Sequence, residues 1–117
     1  DAVVAALVAE RDPRVVPVLV SVLDSSEPAG EDFGVVVGTL KALAILTDDR
    51  AVPAIDRMIR KRGWRGRKRL RVMKAAGLQT LVAMNSEPAR AAIAGAAANG
   101  DRLLRKLARD LPGAAHG

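Results

Sequence analysis

The sequence has no cysteine and no tyrosine, a single histidine (His116), and only two aromatic residues, Phe33 and Trp64. Each shortage excludes something. Without Cys there is no disulfide scaffold, no thiolate zinc cluster and no thiol nucleophile. One His, next to the last residue, leaves no material for an imidazole-rich metal site or a histidine general base held among partners. Carboxylates do not replace it. Glu31–Asp32 and Asp48–Asp49 are adjacent pairs, whose side chains point apart on a helix. Both fall at expected helix starts, where the helix dipole already favours an acid. The expectation is a non-catalytic protein with no cofactor and no metal. Long apolar runs are missing too. The longest uncharged stretch, Ala75 to Ser86, falls short of the roughly 18 residues that a membrane span needs. Ala2 to Ala9 lacks the basic flank of a signal peptide. A soluble, cytoplasmic protein is expected. The first residue is Asp1 and not Met, which reads as a processed product or an excised part of a longer chain.

What is present is apolar and repetitive. Of 117 residues, 50% are hydrophobic, too many for a disordered chain and enough for one domain or one slice of a repeat array. The segment from Asp12 to Leu19 matches Asp48 to Ile55 at an offset of 36, and Ser86 to Ile93 at a further 38. Asp12, Asp48 and Ser86 are N-cap residues, and Pro13, Asp49 and Glu87 after them suit a first helical turn. The register holds upstream of the caps, where Val4, Leu40 and Leu78 align, as do Leu7, Leu43 and Leu81.

Apolar spacings of three and four predict seven helices, at about 2–10, 13–24, 31–46, 49–62, 66–84, 87–98 and 101–110. The β-branched runs Val15 to Leu23 and Val35 to Val37 could be strands by themselves; their partners in the other copies are helical, so the repeat decides for helix. Pro17 and Pro53 lie about one turn inside their helices, so regular helix is expected to begin near them. Gly30, Gly34 and Gly38, spaced by four, predict close approach of a neighbouring helix and not a phosphate loop.

A two-helix unit whose second helix opens Asp-Pro-Arg-x-Val-Pro-x-Leu, as at Asp12 to Leu19, resembles the HEAT repeat, and more closely the short bacterial HEAT-like repeats also found in phycobilisome lyases. The likeness covers nearly the whole chain, with the third copy lacking the inner Pro. It implies an all-α, right-handed α-solenoid of antiparallel helix pairs, about two and a half to three repeats, with the second helices lining the concave side. The domain would run over about 1–111, with units near 1–28, 29–65 and 66–100, a terminal helix at 101–111 and a flexible tail at 112–117. It implies a protein–protein interaction scaffold, a module of a larger bacterial protein. Open array ends would let copies associate.

One segment departs from the average. Arg57, Arg60, Lys61, Arg62, Arg65, Arg67, Lys68, Arg69, Arg71 and Lys74 fall within eighteen residues that contain no acid, with Trp64 among them. The rest of the chain holds nine basic and thirteen acidic residues, so the net charge of +6 resides in this segment alone. These residues are the candidate anion or partner site. Their charge does not recur on the other second helices, which places a local patch at one edge. A milder set, Arg102, Arg105, Lys106 and Arg109, could extend it. An acidic protein surface is the leading partner. The alternative is a nucleic-acid phosphate backbone, with Trp64 stacking on a base. A third reading is a solvated helix face with no partner, its side-chain stems covering apolar surface.

Overall fold

The computed structural model describes residues 2–27, 32–62 and 66–111, and these fold into seven α-helices with no strand among them. The helices are α1 (Ala2–Ala9), α2 (Val16–Ser25), α3 (Phe33–Leu46), α4 (Val52–Ile59), α5 (Arg67–Met84), α6 (Glu87–Asn99) and α7 (Arg102–Arg109). Both β-branched runs are helical. The expected tail, 112–117, lies outside the described residues.

The inner prolines shape two helix starts in the same way. Asp12 is extended, and its carboxylate accepts from the Arg14 N–H at 2.9 Å. An α-turn would next need a hydrogen bond from Pro17, which has no N–H. The Val16 N–H bonds to the Pro13 carbonyl instead, so Pro13–Val15 forms a 3-10 turn and regular helix starts at Val16. The second copy repeats this. Asp48 accepts from the Arg50 N–H at 3.0 Å, Val52 N–H bonds to Asp49 O, and Asp49–Ala51 is the 3-10 turn before Pro53. The third copy has no inner Pro and goes directly into α-helix at Glu87, capped by the Ser86 hydroxyl, which accepts from the Ala89 N–H at 3.3 Å. The two aspartate caps are held charged. The Arg14 guanidinium and then its N–H lower Asp12 to about 2, and Arg50 lowers Asp48 in the same way.

The helix ends preceding these caps share a conformation that composition does not announce. Arg11, Thr47 and Asn85 all adopt positive φ (56°, 51° and 48°), at the same two offsets that relate the caps. Asn tolerates this region, but a β-branched Thr does so at a cost. Thr47→Gly is therefore expected to stabilise the fold by about 1 kcal/mol, read as a higher urea midpoint at unchanged slope. An unchanged or lower midpoint would mean that other contacts of Thr47, such as its hydroxyl bond to Leu46 O at 2.8 Å, outweigh the strain.

Packing follows the repeat. α1 contacts α3, α3 contacts α5 and α5 contacts α7, while α2 contacts α4 and α4 contacts α6. The result is a slab of 38 × 32 × 18 Å, and the thin dimension is that of two helices at their usual spacing of about 8–10 Å. Val36, Leu40 and Leu43 from α3 meet Ile55, Met58 and Ile59 from α4 and Met73, Leu78 and Leu81 from α5 in one core. Polar links cross between units at matching separations: Arg50 Nη2 donates to Pro13 O at 2.8 Å, and the Ser86 hydroxyl donates to Asp49 Oδ1.

The glycine expectation needs correction. A Cβ built at Gly34 or Gly38 meets nothing within 4 Å, so among the described residues no helix approaches that face of α3. Gly30 lies outside the described residues. The close approach occurs at Gly77 of α5, where a Cβ would run into Ile59 and Met58 of α4.

Candidate functional site

The basic segment starts in the last turn of α4, crosses the connection to α5 and continues along the first half of α5. Gly66, at φ 65° and ψ 36°, turns the chain into α5, whose first turn has no acid and begins Arg67-Lys68-Arg69. A helix N-terminus carries partial positive charge and favours acids. Three cations there work against local stability. A local rule broken in this way is a feature to expect at a functional site.

Six of the ten cations are engaged by the protein itself. Arg57 forms a two-pronged pair with Asp24 at 3.0 Å. Arg60 pairs with Asp56 at 3.2 Å and donates to Asn99 Oδ1 at 2.8 Å. Lys61 donates to Ser26 O at 3.1 Å, and Arg62 lies 3.9 Å from Asp101. The Arg69 guanidinium sits over the Phe33 ring, 5.4 Å from its centre. Lys74 is not on the exposed edge at all: it is 1% exposed, and its ammonium donates to Ile59 O at 2.7 Å, Lys61 O at 2.8 Å and Asp101 Oδ2 at 3.5 Å. Burial lowers the Lys74 pKa, and the nearby Asp101 charge offsets part of that. Burial raises Asp101, but the Leu104 N–H, Lys74 and Arg62 together outweigh it and hold it below the usual carboxylate value. Trp64 and Arg65 lie outside the described residues.

Arg67, Lys68 and Arg71 remain, exposed and engaging no described residue. They face α7 across a cleft of about 760 Å³. Arg102 and Lys106 of α7 line its far side; Arg105 and Arg109 do not. Leu70 and Leu103 supply apolar walls, and Lys74 with Asp101 closes the base. The edge expected from sequence is thus a cleft made by two helices, and its apolar part was not foreseen. The signal was present: Leu70 and Leu103 each sit beside cations at the start of a helix.

Among the described residues, no group of three His, Cys, Asp or Glu could hold a metal ion, and no helix is long and apolar enough to cross a membrane. No family model, curated protein or solved structure matches the chain.

Proposed function

We propose that the chain is a non-catalytic helical-repeat module, a right-handed solenoid of the HEAT type, that works by binding a protein partner. The observation that carries the reading is the periodic cap. Three left-handed helix ends (11, 47, 85) are each followed at once by an N-cap (12, 48, 86), at offsets of 36 and 38. First helices stack on first helices and second on second, as in arrays whose units bury their apolar faces against neighbours. Such arrays present extended surfaces instead of enclosed active sites. Two surfaces are offered here: the row α2, α4 and α6, and the basic cleft between α5 and α7.

Photo-cross-linking residues placed singly at exposed positions of each surface test this in cells that express the chain. A recurrent protein adduct confined to one surface is the expected result. Adducts to nucleic acid alone, or no adduct at either surface, would overturn the reading.

A further inference from the structure

We propose that the cleft between α5 and α7 binds an acidic polypeptide segment that inserts an apolar side chain between its carboxylates. This rests on the interaction-module reading and assigns that module its site and the chemistry of its ligand. Six exposed cations border the cleft, and five of them, Arg67, Lys68, Arg71, Arg102 and Lys106, engage no described residue, so a ligand gains their attraction without first breaking an ion pair. Asp101 is the one acid in the lining, and it is already held by Lys74, by Arg62 and by its own helix cap. The volume, about 760 Å³, falls within the range of roughly 300–1,000 Å³ typical of ligand clefts.

The apolar wall decides the class of ligand. Leu70 and Leu103 lie between the cations of the two helices. A sugar–phosphate backbone has no branched apolar side chain to place there, only sugar carbons flanked by phosphates, and single-stranded nucleic acid prefers aromatic platforms for its bases. A duplex also needs a charged track. Here the cations are concentrated on α5 and α7 and do not recur along a row of helices, and the chain outside residues 57–74 is net acidic.

The test is fluorescence anisotropy with the full chain and a labelled peptide of about a dozen residues, Asp and Glu with one central Leu, at ~50 and ~200 mM salt. A peptide with Ser for Leu, and single- and double-stranded DNA of equal charge, serve as comparison probes. The Leu peptide should bind about tenfold more tightly than the Ser peptide, since a buried Leu side chain is worth at least that factor. Arg71→Glu combined with Lys106→Glu should weaken it about tenfold or more. Arg105→Glu with Arg109→Glu, the same charge change on the part of α7 that does not line the cleft, should weaken it far less. Equal binding of both peptides would overturn the apolar subsite, and tighter binding of DNA would make the cleft a nucleic-acid site. No peptide binding, alongside a protein adduct on the α2, α4 and α6 row, would overturn this inference and leave the module reading intact.

Discussion

Replacing Lys74 by Met should lower the melting temperature by roughly 10–15 °C, corresponding to about 3 kcal/mol for a chain of this size. The reason lies at the end of α4. The last carbonyls of a helix have no intrahelical partner and carry the negative end of its dipole. Lys74 reaches from α5 with its stem in the core and places its ammonium on Ile59 O, the last carbonyl of α4, and on Lys61 O just beyond the helix end, with Asp101 of the α7 cap as third partner. One side chain therefore joins three helices. Met keeps the volume and removes every donor, leaving two carbonyls unsatisfied, and each buried unsatisfied group costs about 1–3 kcal/mol. Asp101→Asn is the milder comparison: Asn still caps α7 through its side-chain oxygen but loses the charge, so a loss of about 1 kcal/mol is expected. The folded pKa of Lys74 is lowered by burial, so the unfolded chain binds that proton more strongly. Stability from this residue therefore rises with pH through the window between its lowered folded value and the ordinary Lys value near 10.5. The gap between the wild type and Lys74→Met should widen over that window. A melting temperature within about 2 °C of wild type at neutral pH would show that water or backbone adjustment satisfies the carbonyls instead.

Much of the architecture could be read from the chain because capping is local. Asp12, Asp48 and Ser86 each bond to a backbone N–H two or three residues away, so spacing alone reveals them. The matching left-handed ends could not be read from residue type, because Arg11, Thr47 and Asn85 share none; each closes its helix through local bonds to the preceding turn, such as Thr47 N–H to Leu43 O and Asn85 N–H to Leu81 O. Charge counting found the basic segment but could not say which cations remain available. Arg57 is engaged by Asp24, Arg60 by Asn99 and Lys74 by Asp101, all partners 27 or more positions away. Of the nine described cations among the original ten, three engage no described residue, Arg67, Lys68 and Arg71, and two from α7 join them at the cleft. The small-residue spacing on α3 misled for a related reason. Glycine removes bulk from a helix face whether or not a neighbour arrives to use the space.

Gly77 shows the opposite case, and substituting it should have a large effect whose sign is diagnostic. In an open helix interior, Gly→Ala gains about 1 kcal/mol. At Gly77 the new Cβ would overlap Ile59 Cγ2, lie 2.9 Å from Met58 Cε and 3.7 Å from Ile55 Cγ2. Met58 can swing its terminal methyl away, but Ile59 is β-branched, stiff at χ1 and fully buried. The overlap must then push α4 and α5 apart along their whole contact. Overpacking of this kind costs about 1–3 kcal/mol, enough to reverse the propensity gain, so Gly77→Ala should destabilise by about 1 kcal/mol. Gly77→Leu, with three further carbons and no space for them, should cost several times as much and prevent cooperative unfolding. Gly38→Ala is the control, because its Cβ meets nothing within 4 Å. It should stabilise by about 0.5–1 kcal/mol through the same propensity term. Urea denaturation of the three variants separates the effects. If Gly77→Ala were as stabilising as Gly38→Ala, α4 and α5 would not be packed at this distance. Lys74 of α5 could then not reach the last carbonyl of α4, and the base of the cleft would be lost with it.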